Sequence, residues 1–135
     1  MAVTNFDEYR DVYVVADTID DVVHPVTYEL IGQARRIAKE LGRLVQVMLL
    51  GDNVQAEAEE LVAHGADIVH VFESPLLKYY TTDGYTKVLT DFFEDHKPNI
   101  LLIGATNNGR DLAPRMSGRM QNGVVADCTI LTVDT

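Results

Sequence analysis

Residues 98–115 read Pro-Asn-Ile-Leu-Leu-Ile-Gly-Ala-Thr-Asn-Asn-Gly-Arg-Asp-Leu-Ala-Pro-Arg, and this stretch decides the fold. Residues 100–103 form an unbroken apolar run, which is typical of a strand buried on both faces. Pro114 has no backbone N–H and is tolerated best in the first turn of a helix, so the sequence predicts a helix with Asp111 as its N-cap. Residues 105–110 are then expected to form a loop at the carboxyl end of the strand, where open α/β sheets bind ligands.

Length and composition predict one acidic, globular domain. The chain has 135 residues, of which 47% are hydrophobic and 24% charged, and its formal net charge is −10. This charge argues against nucleic acid or an anionic membrane as a partner, and it leaves room for a cationic protein. The single cysteine, Cys128, excludes an internal disulfide and fits a reducing compartment. No apolar run approaches the roughly 18–20 residues that span a bilayer, and no secretion signal is visible, so we expect a cytoplasmic location.

Strand-like and helix-like segments alternate along the chain. Strand patterns, rich in β-branched and apolar residues, occupy residues 11–16, 44–50, 67–72, 100–103 and 129–133. Apolar residues at three- and four-residue spacing predict the helices between them, over residues 25–41, 52–64, 82–96 and from 111 onward. Asp52 and Gln55 resemble a capping box at the start of the second helix, and Asn122-Gly123 is a turn signal.

This alternation predicts a three-layer, doubly wound α/β fold with a mostly parallel sheet, Rossmann-like and of the adenine nucleotide alpha hydrolase-like kind. The expected strand order is 3-2-1-4-5, which reverses direction beside the first strand. Residues 17–24 and 105–110 would then face each other across a crevice at the carboxyl edge of the sheet. Asp17, Asp20 and Asp21 are crowded acids in the first of these walls, and we expect them to form a solvated loop.

The candidate binding residues lie in the second wall. They are Thr106, Asn107, Asn108 and Arg110, which offer a hydroxyl, two amides and a fork of guanidinium donors. A polar turn, with Arg110 paired to a nearby acid, explains the same residues without a ligand. Both interpretations stay open at this point. A bare phosphate is not the favoured ligand, since Asp111 would add negative charge at the helix N-terminus.

Other motifs are weak or missing. Arg115 and Arg119 share a helical face near Arg110, and this patch either meets a cofactor or acidic partner or forms local ion pairs. The four histidines lie on separate elements, so we expect no metal site. The glycine-rich dinucleotide, phosphate-loop and hydrolase signatures are absent, and Cys128 is expected to be an inert, buried thiol.

Several segments carry a family resemblance. The run Gly-Ala-Thr-Asn-Asn-Gly-Arg-Asp-Leu-Ala-Pro-Arg at 104–115, together with Ala-Asp-Cys-Thr at 126–129, resembles the N-terminal domain of the alpha subunit of electron-transferring flavoproteins. Earlier pieces agree, notably Pro-Val-Thr-Tyr-Glu-Leu-Ile-Gly-Gln-Ala-Arg at 25–35 and Val-Met-Leu-Leu-Gly at 47–51. The resemblance covers about residues 10 to 133, and it looks more like the anaerobic, flavin-bifurcating branch.

The resemblance implies an electron-carrier subunit rather than an enzyme. Its expected partners are a beta subunit and a redox partner, such as an acyl-CoA dehydrogenase of fatty acid β-oxidation or a nicotinamide nucleotide. The family holds its electron-transferring FAD mainly in a C-terminal domain that is not in this sequence, so this domain is not expected to hold that FAD alone. A second FAD, or AMP, lies in the beta subunit, and Thr106, Asn107, Asn108 and Arg110 would border it from the alpha side.

Two other classes of protein could share this predicted fold. A stand-alone nucleotide-binding module resembling the universal stress proteins shares the strand order, although residues 116–122 supply a poor match to its glycine-rich phosphate segment. A hydrolase or transferase lacks any nucleophile–base pair that we can name.

Overall fold

The computed structural model describes residues 10–96, 98–119 and 129–133. Residues 120–128 lie outside these ranges, and they include the Asn122-Gly123 turn signal, Cys128 and parts of the segments 116–122 and 126–129. The elements, in chain order, are β1 (Arg10–Val15), β2 (Thr18–Ile19), β3 (Val22–Val23), α1 (Val26–Leu41), β4 (Val45–Gly51), α2 (Gln55–Ala63), β5 (Ile68–Glu73), a 3₁₀ turn (Pro75–Leu77), α3 (Thr82–Asp95), β6 (Pro98–Gly104), α4 (Asn107–Arg119) and β7 (Thr129–Val133).

Five strands form one parallel sheet in the order β5-β4-β1-β6-β7. Val12 of β1 pairs with Val45 on one side and with Ile100 on the other, so β1 and β6 are direct neighbours. β2 and β3 form a separate small hairpin, so the five strands of the sheet are the five that the sequence predicts. The predicted α/β class and strand order are therefore confirmed. β5 lies at one edge of the sheet, as the predicted strand order requires, and its residues are exposed or only partly buried.

Each face of the sheet has its own apolar core. Val12 and Val14 belong to the core that α1 and α2 cover, whereas Tyr13 and Val15 belong to the core under α3 and α4. This alternation is the period-two pattern of a strand buried on both faces. The result is three layers, with two helices on each side of the sheet.

The last described helix begins earlier than the sequence predicts. α4 starts at Asn107 rather than after Asp111, and Pro114 lies inside it. The prediction was wrong because Thr106 provides a cap: its Oγ1 accepts a hydrogen bond from the N–H of Gly109 at 3.1 Å. The proline only leaves the carbonyl of Arg110 without an N–H partner, and Arg110 and Pro114 are both exposed, so water can solvate that carbonyl.

The predicted capping box at α2 is also absent. Asp52 and Gln55 do not cap each other; instead Glu73, at the end of β5, accepts hydrogen bonds from the Val54 N–H at 2.9 Å and the Gln55 Nε2 at 3.1 Å. The Asp21 carboxylate accepts from the Asp52 N–H at 2.8 Å. The backbone N–H groups of Asp52 and Val54, in the turn that leads into α2, are therefore bonded to acids from distant elements.

Replacing Glu73 with Ala is expected to lower the free energy of unfolding at neutral pH. Hydrogen bonds from Val54 and then Gln55 hold the pKa of the Glu73 carboxyl below its usual value of 4.5. A carboxyl whose pKa is lower in the folded state stabilises the protein above its unfolded pKa, and this contribution is lost as the pH falls through the folded pKa. Urea unfolding should show a deficit for Glu73→Ala at pH 7 that shrinks below about pH 4.5. The exposed Glu59→Ala variant is the control, and an equal deficit in both variants would refute the assignment.

Candidate functional site: the crevice at the carboxyl edge of the sheet

A pocket opens where β1 and β6 end side by side. Both walls predicted from the sequence contribute to it, and α3 and the segment before α3 supply a further side. Its lining is Val15, Ala16, Asp17, Thr18, Tyr80, Tyr85, Ile103, Gly104, Asn108, Gly109 and Leu112. The pocket has a volume of about 300 Å³, including space open to solvent. It lies at the topological switch point of the sheet, which is the usual ligand position in this fold class.

A hydrogen bond joins the two walls. The Thr106 hydroxyl donates to the Asp17 carboxylate, and it accepts from the Gly109 N–H, so one side chain both caps α4 and fixes the loop after β1. On the other side, the Asp17 N–H donates to Oγ1 of the fully buried Thr27 at 3.0 Å. Residues on three elements therefore set the width of the crevice.

Two tyrosines form the side of the pocket near α3. Tyr85 is buried, and its hydroxyl donates to the Leu77 carbonyl at 2.9 Å. The Tyr80 hydroxyl donates to Asp111 Oδ2 at 2.8 Å, and the Thr82 hydroxyl donates to the same oxygen. Burial, together with the Asp111 carboxylate, raises the pKa of Tyr80 to about 12. Bonds from Thr82 and Tyr80 hold the pKa of Asp111 below its usual value, so at neutral pH Tyr80 is a neutral donor to an ionised acid.

The first turn of α4 packs directly on the end of β6. A Cβ on Gly109 would overlap the carbonyl oxygen of Gly104, and a Cβ on Gly104 would lie 3.1 Å from the Val26 side chain. Glycine is therefore required at 109 by the close approach of two backbone segments. This approach brings Asn108 to the pocket.

The four predicted binding residues do not share one role. Asn108 is half-buried and lines the pocket, while Thr106 closes it through the bond to Asp17. Asn107 and Arg110 are exposed on the first turn of α4, outside the lining. Within the described ranges, Arg110 forms no ion pair with a carboxylate. The segment is thus a helical turn at the rim and not the loop that the sequence predicts.

Several charged residues have specific partners. Arg115 pairs with Asp83 of α3 at 3.1 Å, which supports the ion-pair interpretation for this residue, whereas Arg119 is exposed. The solvated loop expected for the acids of residues 17–21 was wrong. Asp17 and Asp21 accept the bonds described above, and Asp20 pairs with Lys78 at 3.6 Å. Asp20 and Asp21 both have positive φ, at 52° and 64°, which is the geometry of a tight hairpin turn between β2 and β3.

The sequence did not identify Tyr80 and Tyr85 as site residues. Tyr85 lies in the predicted helix over residues 82–96, and Tyr80 falls in the connection before it, which has no periodic pattern. The sequence shows only that the two tyrosines lie five residues apart, on either side of the start of α3, and that the segment before them has no predicted conformation. Only the packing of that segment against β4 and α3 brings both rings to the crevice.

Among residues 10–96, 98–119 and 129–133, no cluster of three or more histidine, cysteine or acidic side chains has metal-binding geometry. None of the helices described for this chain is long and apolar enough to cross a membrane.

Comparison with solved structures supports the fold. The universal stress protein from Archaeoglobus fulgidus in complex with dAMP superposes with a TM-score of 0.57 and 15% identity, over 93% of this chain and 98% of that chain. A universal stress protein in complex with cAMP gives 0.55 and 14%, over 93% and 98%. These likenesses show the fold, a doubly wound α/β domain with its switch point beside the first strand.

The chain belongs to the electron transfer flavoprotein family, since the electron transfer flavoprotein domain matches residues 12–135. The electron transfer flavoprotein subunit alpha of Megasphaera elsdenii is 46% identical over 127 residues, covering 94% of this chain and 38% of that subunit. Subunit LctC of the lactate dehydrogenase (NAD(+),ferredoxin) of Acetobacterium woodii is 47% identical over 123 residues, covering 91% and 29%. An electron transfer subunit of the acryloyl-CoA reductase of Anaerotignum propionicum is 43% identical over 130 residues, covering 96% and 35%.

These comparisons confirm the family predicted from residues 104–115. The chain spans only 29% to 38% of the length of these three relatives. The matched region is therefore one part of proteins that carry out electron transfer as a whole.

Proposed function

We propose that this chain is the N-terminal domain of an electron transfer flavoprotein alpha subunit, and that its crevice edge docks the beta subunit and forms one wall of a flavin pocket. The whole protein carries electrons from a dehydrogenase or NADH and is not itself the enzyme that oxidises the substrate. The observation that carries the proposal is the crevice itself, since the family's most specific run, 104–115, folds into its rim.

The surface around the crevice suits a protein partner. Four large apolar side chains stand exposed there: Ile19 and Val22 on the hairpin are 60% and 61% exposed, and Leu76 and Tyr79 are 84% and 63% exposed. The Lys78–Asp20 ion pair links their two segments. Exposed apolar residues grouped around a polar rim are typical of an interface.

The residues present fit one side of a flavin and not a complete site. The pocket interior is lined mainly by apolar side chains and glycines, Asn108 is part of this lining, and Arg110 is exposed on the same turn of α4. A flavin bound in the whole protein supplies the electron-carrying chemistry. This chain supplies Asn108 as a hydrogen-bonding group and Arg110 as a positive charge beside it, with Thr106 and Asn107 shaping the border. FAD is the proposed flavin, and AMP is the alternative occupant.

The redox partner is proposed to be a dehydrogenase or reductase of anaerobic metabolism, because two relatives are named as subunits of a lactate dehydrogenase and an acryloyl-CoA reductase. An acyl-CoA dehydrogenase of fatty acid β-oxidation fits the same chemistry and is the second choice. The bifurcating branch and a cytoplasmic location remain part of this proposal.

A hybrid subunit tests docking. We expect this chain, fused in place of the matching region of the Megasphaera elsdenii alpha subunit, to co-purify with the beta subunit of that protein and to show flavin absorbance. Failure to co-purify, with the hybrid folded by circular dichroism, would contradict the docking proposal. Adenine nucleotide retained by the isolated chain would instead favour the stand-alone module.

Replacing Arg110 with Ala in that hybrid complex is expected to lower the midpoint potential of the neighbouring flavin. A nearby cation stabilises a reduced, anionic ring, so its removal makes reduction less favourable. Spectroelectrochemical titration measures the change. Arg119→Ala, which removes the same charge from an exposed position at the far end of α4, should leave the potential unchanged. Equal potentials for wild type and Arg110→Ala would remove this role.

A further inference from the structure

A basic groove lies at the opposite edge of the sheet from the crevice. It is formed by the C-terminal half of α1, the start of β4 and the segment that joins α2 to β5. Its lining is Arg35, Arg36, Ala38, Lys39, Arg43, Val45, Val62, Gly65, Ala66 and Asp67, and it encloses about 1010 Å³, part of it open to solvent. Four of the eleven basic residues of the chain therefore fall within residues 35–43 and line one groove.

The four cations of the basic groove are exposed at the surface. In the part of the chain that the structure describes, none of them forms an ion pair, whereas Lys78, Lys87 and Arg115 each pair with an aspartate. The acid in the groove, Asp67, is engaged with the backbone: its Oδ2 accepts from the Val45 N–H at 2.8 Å. The groove therefore presents a local positive potential to solvent on a chain whose net charge is −10, and such a patch attracts negatively charged partners.

The dipole of α1 explains only part of this positive charge. Basic side chains near a helix C-terminus interact favourably with the helix dipole, and Lys39 lies in the last turn of α1. Arg35 and Arg36 lie further back along the helix, and Arg43 lies beyond its glycine C-cap. The dipole effect falls off within the last turn, so it does not account for Arg35 and Arg36.

We propose that the basic groove docks an acidic segment of a protein partner, and that it does so independently of the crevice. Apolar groups accompany the charge: Val62 is 53% exposed inside the groove, and Leu41 and Leu44, on either side of Arg43, are 47% and 45% exposed. Three of the four cations are arginines, whose planar forks match carboxylates in two-point contacts. This mixture of arginine and exposed aliphatic side chains is typical of protein interfaces.

A small phosphorylated ligand fits the groove less well. The C-termini of both α1 and α2 end at this edge, and their free carbonyls present partial negative charge. A compact, highly charged anion would lie against these carbonyls, whereas an extended acidic segment can place its carboxylates at the arginines and its apolar side chains on Val62 and Leu44. A second copy of this chain is also acidic overall, and dimerisation is therefore an outcome that the test must separate.

The test uses a short, fluorescein-labelled peptide of glutamate and leucine residues, with its glutamine–leucine counterpart as the uncharged probe. Fluorescence anisotropy at low ionic strength measures binding to the full 135-residue chain. The groove variant is Arg36→Gln with Lys39→Gln. The matched control is Lys87→Gln with Arg115→Gln, which removes the same charge from two residues that already pair with aspartates.

We expect the acidic peptide to bind the wild-type chain despite its net charge, and to bind the groove variant about three- to tenfold more weakly. The control variant should bind like wild type, and the uncharged peptide should bind neither. Absence of binding, or equal loss in both variants, would overturn the proposal. Displacement of the peptide by stoichiometric inorganic tripolyphosphate would assign the groove to phosphate instead. A dimer seen by light scattering and abolished in the groove variant would assign it to a second copy.

Discussion

Replacing Gly109 with Ala should destabilise the protein by about 3 kcal/mol, and it should shift the start of α4 away from the sheet. The added Cβ would overlap the carbonyl oxygen of Gly104, which belongs to the backbone and cannot turn away like a side chain. Either β6 or the first turn of α4 must move, and both border the crevice. Urea unfolding of the variant and the wild type measures the loss.

Gly32→Ala is the matched control for this prediction. Gly32 lies inside α1, and no atom of the described residues lies within 4 Å of the Cβ that alanine would add. Alanine has the higher helix propensity, so this variant should be as stable as wild type or more stable by up to about 1 kcal/mol. Similar stability changes for the two variants would show that α4 does not approach β6 as closely as described.

Replacing Thr106 with Val should cost about 2 kcal/mol. The substitution keeps the shape of the side chain but removes the hydroxyl that caps α4 and donates to Asp17, and each loss is expected to contribute about 1 kcal/mol. Thr106→Ser retains the hydroxyl and should recover most of the stability. Thermal or urea unfolding of both variants measures the difference.

The Thr106 variants also test the crevice. Loss of the bond to Asp17 should loosen residues 17–24, and amide hydrogen exchange there should become faster in Thr106→Val than in Thr106→Ser. Equal stability and equal exchange in the two variants would mean that the hydroxyl joins nothing across the crevice.

The sheet could be predicted from the sequence because its cause is local. Residues 44–50, interrupted only by Gln46, and residues 100–103 are apolar runs bounded by polar segments, and such runs are typical of strands buried on both faces. The alternation of helices and strands leaves few possible topologies. The general rules for chain connections then place β1 beside β6. The approximate place of the crevice came with it.

The start of α4 could not be predicted because two rules conflict there. The cost of Pro114 inside a helix is visible in the sequence. What offsets it is tertiary: Leu112 and Met116 are buried against the sheet, and Tyr80 and Thr82 hold Asp111 from α3. The sequence of this segment shows the cost of the proline, but it does not show the tertiary contacts that offset this cost.

The partners of acids and aromatic residues were missed for a related reason. Asp21 accepts a hydrogen bond from the Asp52 N–H, 31 residues away, and Tyr80 donates to Asp111 across 31 residues. Nothing in the local pattern marks either contact. The basic groove is similar, since the cations of residues 35–43 form a groove only when parallel strands bring residues 62–67 beside them.

We propose that the crevice edge of this domain contacts the beta subunit. Amide hydrogen exchange of the hybrid alpha subunit, alone and in complex with the beta subunit, tests it directly. We expect slower exchange in the complex for residues 18–23 and 107–110. Unchanged exchange in both segments, with protection confined to residues 35–43 at the opposite edge, would contradict it.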